Sequence, residues 1–393
     1  MTFPKPSIVI VGGGFAGFWA AAAARRAGGS GVDITLVSSG GELQMRPRLY
    51  EAHPETLGVE LAPFLHTLDV RFIIDTAVGL DLDRHEIILR DGVLAFDRAV
   101  IAAGSVMRRP NVAGADEAFS IDTQAEAIAF DRHLARLADS GKQITVVVVG
   151  AGFTGIELAL ELRTRLAALR TSEQPDDLRI VLVDRAADVG VDLGPNPRPF
   201  IAAALSTARV ELRMQSVITA MTNRSLTFAD GSTLDADAVV LATGLQASPF
   251  VANVPGLRDA AGRVVVDGSL RAPDAPHVFV AGDAAAADTG DSHTSLQSCQ
   301  HALQLGRFAG ENAARDALGQ ATINYEQRRY VTCLDLGRSG AVFTTGWDRE
   351  VAMSGDEAKV IKRKINTEVI YPPIDASLET LLELSRLPQT NGP

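Results

Sequence analysis

The chain has 393 residues, more than one ordinary hydrophobic core can organise, so two or three domains are expected. Hydrophobic residues make up 46% and charged residues 22%, a globular mix, and the net charge of −11 argues against nucleic acid as a partner, since that affinity comes mostly from neutralising phosphates. Two cysteines, Cys299 and Cys333, with no CxxC spacing, argue against a disulfide framework and a cysteine-ligated zinc site, exclude the dithiol of a disulfide reductase, and fit a reducing cytoplasm.

The first element is "IVIVGGGFAGFWAAAAARRA", Ile8 to Ala27. Its charge-free stretch from Ser7 to Ala24 raises the question of a signal peptide or membrane span. Gly12, Gly13, Gly14 and Gly17 interrupt it and Arg25 and Arg26 close it, which reads as strand, turn and helix. A second apolar run, Ile34–Val37, ends at Ser38, and a third is Arg71–Ile74. "HEIILRDGVLAFDRAVIAAG" then reads as a hairpin turning at Asp91-Gly92, running into a buried strand Ala99–Ala102 that ends at Gly104.

The same layout returns. Thr145–Val149 leads into Gly150-Ala151-Gly152-Phe153-Thr154-Gly155 and an alanine- and leucine-rich helix to Leu169. Residues 171–177 read as a polar surface loop, Ile180–Val183 as the next strand ending at Asp184, and "GPNPRP" (194–199) as another loop. A hairpin at Asp230-Gly231 runs into Val239–Leu241 and ends at Gly244. One more buried strand, Val278–Val280, precedes Gly282-Asp283. Continuous β-branched runs separated by helices imply parallel strands covered on both faces, hence an internally duplicated α/β fold of two Rossmann-like domains. After Gly319 the pattern changes, and a small C-terminal α+β unit is expected.

Both glycine runs, Gly12 to Gly17 and Gly150 to Gly155, are GxGxxG between a strand and a helix. The first glycine allows the tight turn, the second lets a pyrophosphate approach the backbone, and the third lets helix and strand pack closely. The anion then rests on the helix N-terminus, at Phe15 and Ala16 in the first copy and at Thr154 in the second. Two dinucleotide sites follow. Asp184 stands where an acid would accept from ribose hydroxyls and repel a 2′-phosphate, which favours NADH; Arg185 beside it leaves NADPH open. The bland alternative is an acid that caps its own loop. In the first copy Ser38 occupies the acid's place, with Glu42 as a nearby substitute.

This layout resembles the two-dinucleotide-binding-domain flavoproteins, and within them it is most similar to the type II NADH dehydrogenases. "FDRAVIAAG" (96–104), "ADAVVLATG" (238–244 in its last seven residues) and "HVFVAGDAA" (277–285) are similar to that superfamily's segments beside its cofactors. The resemblance implies FAD on the first loop, with Asp283 binding its ribitol, and NADH on the second. It divides the chain into a discontinuous FAD domain (1–110 and 240–318), a nucleotide domain (111–239) and a C-terminal unit (319–393). "CQHALQ" (299–304) resembles the family's quinone motif AQxAxQ, so Gln300 and Gln304 are expected to donate to a quinone or quinone-like acceptor. "GFTGIELALEL" resembles the family stretch that carries Glu157, whose burial would let it relay a proton; the alternative is an acid paired with Arg163 or Arg165. A helix capped by Thr294 or Ser295 is expected to aim its dipole at the flavin, with His301 on its surface and Cys299 as an inert filler.

"ELQMRPRLYEA" (42–52) departs from the family's FxPLLY loop by adding Arg46 and Arg48. In 357–370, Val360, Ile361, Ile365 and Val369 share a helical face with Lys359, Lys362 and Arg363 off it, either for the inner face of the plasma membrane or for packing on the protein itself. A homodimer or a monomer is expected. Beside the quinone reductase stand two alternatives: an oxidoreductase with a protein, oxygen or small-metabolite acceptor, and a non-enzymatic flavin-bound redox sensor.

Overall fold

The computed structural model describes residues 4–139, 143–169 and 178–388, so the polar segment 171–177 lies outside the described residues. Two sheets carry the duplication. The first has six strands in the order Arg271–Ala272, Ala275–Val280, Arg98–Ile101, Ser7–Val11, Asp33–Ser38 and Arg71–Ile74, parallel except for the short outermost strand Arg271–Ala272. The second has five parallel strands in the order Phe119–Ser120, Ala238–Leu241, Ile144–Val149, Leu178–Val183 and Val210–Arg213. The central strands are buried almost throughout, which is why they read as unbroken Val/Ile runs instead of alternating ones. Both hairpins form beside these sheets, at 86–95 and 225–235.

The chain crosses between the two sheets twice. Both crossings, Ser105–Met107 and Leu245–Ala247, pair with each other as a short antiparallel ribbon. The helix Phe15–Gly28 packs against Cys299–Ala317 at backbone distance. A Cβ on Gly306 would fall 2.2 Å from the Ala16 carbonyl oxygen, and one on Gly310 would fall 2.0 Å from that of Ala20. Small residues on both helices make that approach possible and carry the 299–317 helix across the first glycine turn.

After Gly319 a three-stranded antiparallel sheet (Val331–Asp335, Ala341–Thr345, Glu350–Gly355) is covered by the helix Asp356–Lys364. Among the described residues no helix is long and apolar enough to cross a membrane. "GPNPRP" is a loop only in part: Arg198 and Pro199 already belong to the helix Arg198–Thr207, since proline suits a first turn whose N–H groups are unpaired anyway. The helix Gln124–Ala138, which the periodicity of apolar residues does not announce, starts on a reciprocal cap between Thr123 and Glu126, a T-x-x-E signal present in the sequence.

Candidate functional site

The two glycine turns are the same object built twice. Gly12 has φ +113° and Gly150 +110°, and a Cβ on either would lie 2.2 Å from a carbonyl oxygen, of Ala102 and Ala242 respectively. A Cβ on Gly17 or Gly155 would lie 1.8 Å from the carbonyl oxygen of Gly12 or Gly150. At Gly14 and Gly152, by contrast, an added Cβ meets nothing within 4 Å. The outer glycines are therefore needed for folding, while the middle ones leave bare backbone facing open space. Gly14 caps the Phe15–Gly28 helix with no side-chain bond, so the N–H groups of Phe15, Ala16 and Gly17 have no intrahelical partner. Gly104 (φ +71°) and Gly244 (φ +87°) are also open at the matching strand ends.

Ser38 sits beneath the first turn, its Oγ 2.6 Å from where a Gly13 Cβ would be. Glu42 is exposed on the strand Glu42–Gln44. Under the second turn Asp184 accepts from Ala151 N–H at 2.7 Å and from Ala186 N–H at 2.8 Å. Asp184 thus caps its own loop, and a carboxylate has further lone pairs for a ligand hydroxyl. Arg185 is exposed beside it, and Thr154 at the helix start is exposed too.

Asp283 follows Gly282, whose φ of +67° and Cβ position 2.8 Å from Ala16 Cβ press the segment onto the first helix. Ser105 donates to the Asp283 carboxylate at 2.6 Å. Burial pushes this carboxyl above its usual range, opposed by the Ser105 bond and the charge of Arg46.

Glu157 is 3% exposed. Its Oε1 accepts from Lys362 Nζ at 2.9 Å and from the backbone N–H of Asp335 at 2.8 Å. Burial raises its pKa to about 7 against the pull of the lysine. Lys362 is itself 5% exposed and lies between two rings, Tyr50 and Phe153, whose centroids are 5.8 and 5.5 Å from Nζ. Asp335 binds Lys359 and accepts from the Tyr50 hydroxyl at 3.2 Å. The expected partners Arg163 and Arg165 are engaged elsewhere, with the Ala208 carbonyl and with Asp131. Sequence reasoning missed Lys362 as partner because the two residues are far apart in the chain and no local pattern links them. It also read the 357–370 segment with its lysines turned away from the protein. The buried stripe is instead Ala358, Lys362 and Asn366, and the large apolar residues Val360 and Val369 point outward.

The helix carrying Gln300 and Gln304 begins at Cys299, capped by Ser298, and not at Thr294 or Ser295. Those two residues are tied back instead: Thr294 bridges Asp288, and buried Ser295 bonds to Ala287 through both its N–H and its Oγ. Gln300 donates to the Arg329 carbonyl at 3.3 Å, while the Oε1 of Gln304 is buried with no partner. His301 is not on the surface as expected. It is fully buried, bonded to Ser298 and stacked near Tyr330 and Trp347, with burial and nearby Arg263 lowering its pKa to about 4, so it is neutral. Cys299, its thiol pushed up by burial, lies within electrostatic reach of both Lys362 and Asp283. Among the described residues no cluster of three or more His, Cys, Asp or Glu side chains is placed to hold a metal ion.

Comparison with known proteins places the chain among related sequences and folds. Residues 6–306 match the family model described as pyridine nucleotide-disulphide oxidoreductase. An NADH dehydrogenase-like protein of Mycobacterium tuberculosis is 39% identical over 386 residues, covering 95% of this chain and 96% of that one. A type II NADH:quinone oxidoreductase of Staphylococcus aureus is 25% identical over 393 residues, covering 94% and 96%. A sulfide:quinone oxidoreductase from Aquifex aeolicus has the same fold, with a TM-score of 0.74 at 18% identity over 92% of this chain and 90% of that one.

Proposed function

The chain belongs to the pyridine nucleotide-disulphide oxidoreductase family, and from that membership we propose that this NAD(P)H-dependent flavin oxidoreductase is a type II NADH dehydrogenase, with FAD on the first glycine turn, NADH on the second and a quinone as final acceptor. One observation carries the reading. Two turns with matching backbone angles and matching close approaches each present a bare middle glycine to open space, which suits two diphosphates. When bound, the flavin supplies the two-electron chemistry between nicotinamide and acceptor.

The protein's share is binding, orientation and proton handling. The uncapped starts of the two helices hold the diphosphates, with Gly104 and Gly244 keeping the strand ends clear. Ser38 binds the first ribose. The free lone pairs of Asp184, just past the end of its strand, bind the second, which favours NADH over NADPH. Asp283, fixed by Ser105, binds the flavin's ribitol. Burial outweighs Lys362 and raises Glu157 to about 7, so near neutral pH its carboxyl both takes up and releases a proton, which it passes toward the reduced acceptor. Gln300 and Gln304 offer amide N–H groups to the acceptor's oxygens.

A second reading keeps both nucleotides and replaces quinone with an acceptor met in water. The inward burial of Lys362 supports it, since Val360 and Val369 are the only large apolar side chains that 356–369 exposes. Anaerobic reduction by NADH, followed by re-oxidation with menaquinone or ubiquinone analogues against oxygen, separates the two. Fast quinone turnover is expected. Slow turnover with every quinone overturns the first reading, and failure of NADH to bleach the flavin overturns both.

A further inference from the structure

Arg46 is one of the two arginines by which 42–52 departs from the family's pattern. Its guanidinium makes four bonds to two neighbours. Nε donates to the Asp122 carbonyl at 3.1 Å and Nη2 forms an ion pair with the Asp122 carboxylate. Nη1 donates to Ser105 twice, to the carbonyl at 3.2 Å and to Oγ at 3.1 Å. Ser105 is 8% exposed, and its hydroxyl donates onward to Asp283 at 2.6 Å. Asp122 in turn accepts from the backbone N–H of Met107 at 2.9 Å.

These partners occupy a particular place. Ser105 and Met107 form the first of the two crossings between the sheets, and Asp122 lies where the chain has entered the second sheet, just before the helix Gln124–Ala138. Arg46 itself arrives from the turn that follows the strand Glu42–Gln44. A planar fork with five donors holds a carboxylate and a hydroxyl in one fixed plane; an ammonium has three donors on a flexible stem and lacks that planar geometry. With its hydrogen given to Asp283, the Ser105 Oγ has only lone pairs left for Arg46, so the hydroxyl cannot turn away without losing both bonds.

We propose that Arg46 is a positioning residue for the flavin: by clamping Ser105 to Asp122 it fixes the Asp283 carboxylate for the ribityl chain and locks the flavin pocket to the crossing between the two nucleotide sites. This rests on FAD occupying the first glycine turn. Arg46 acts through Ser105 and Asp283, and Asp122 is the other half of its clamp, so the two form one unit.

The test uses the full chain stripped of flavin and titrated with FAD, followed by flavin fluorescence, for the unaltered protein and for Arg46→Gln, Asp122→Asn, the pair together, and Arg46→Lys. The unaltered protein binds FAD. Each single variant binds about tenfold to a hundredfold more weakly, the range for one lost charge-assisted contact. The double variant is no weaker than Arg46→Gln, because one unit has been removed twice. Lysine restores the flavin's midpoint potential, which tracks local charge, and not the affinity, which needs the fork. Apo-protein circular dichroism and melting temperature report folding separately. An unchanged FAD affinity in folded Arg46→Gln, losses that simply add in the double variant, or full recovery of affinity by lysine overturns the proposal. Failure of the unaltered protein to bind FAD overturns the functional reading instead.

Discussion

The Glu157–Lys362 pair gives the sharpest test, because its energetics follow from burial and a defined geometry. Take the replacement of both partners, Glu157→Gln with Lys362→Met, as a neutral reference of similar volume. In the native protein Glu157 titrates at about 7, against 4.5 for an ordinary glutamate. A raised acid stabilises the fold when protonated: that stability is fully present below 4.5 and is lost as pH rises through about 7. The gap between the two values corresponds to roughly 3 kcal/mol, with no discount for solvent since both side chains are buried. Urea unfolding between about pH 5 and 8 should therefore show the unaltered protein losing up to about 3 kcal/mol relative to the double variant. Lys362→Met alone should cost little at about pH 5, where Glu157 simply keeps its proton. At about pH 8 it should cost about 1–1.5 kcal/mol more than at pH 5, because Glu157 without its lysine keeps its proton above 7, where the native carboxyl has lost it, at about 1.4 kcal/mol per pH unit. The pH dependence of acceptor reduction should lose its limb at about 7 in Glu157→Gln. A stability difference that stays flat across that pH range would refute the assignment of that proton to Glu157.

Four further outcomes can be measured on single variants. Gly14→Ala should fold, since its Cβ meets no protein atom, yet lose FAD; Gly12→Ala should fail to fold, its Cβ falling 2.2 Å from the Ala102 carbonyl oxygen, and flavin absorbance with circular dichroism separates the two. Gly152→Ala should keep the flavin and lose NADH affinity, seen as a raised KM for NADH with the flavin spectrum intact. Gly310→Leu should destabilise by about 3 kcal/mol or more through overpacking against Ala20, read from the melting temperature. His301, held neutral with a pKa of about 4, contributes stability above its ordinary value of 6.5 that is lost as pH falls through about 4; His301→Phe should flatten that acid limb in an unfolding series.

The fold was legible because its signals are local. The buried strands show as β-branched runs, the turns as glycines at fixed spacing, and the hairpins as Asp-Gly pairs, and each of these is decided within a short window of chain. Helix starts without such a marker were less legible. Thr294 and Ser295 look like caps, but Ser295 is drawn back onto Ala287 by two bonds and Thr294 onto Asp288, and only Ser298 is left to start the helix. His301 sits just inside that start, where composition suggests a surface, and is buried by Tyr330 and Trp347, which arrive from the C-terminal unit.

The least legible part is also the part that makes the site chemical. Hydropathy assigns Lys362 to solvent, because an isolated lysine is costly to bury. It goes inside because Glu157 is already there and the rings of Tyr50 and Phe153 lie about its ammonium, and Glu157 stays there because Lys362 and the Asp335 N–H bind it. Neither side chain has a reason to be buried without the other, so no single-residue scale can foresee either. Tyr50 follows the Arg46 turn of the first glycine domain, Phe153 belongs to the second glycine turn, and Lys362 belongs to the last unit of the chain. The pair and its surroundings therefore draw on all three parts of the chain. An acid that titrates near neutrality is then a property of the assembled protein, and Lys362→Met should move the pH dependence of acceptor reduction while leaving both glycine turns able to hold their nucleotides.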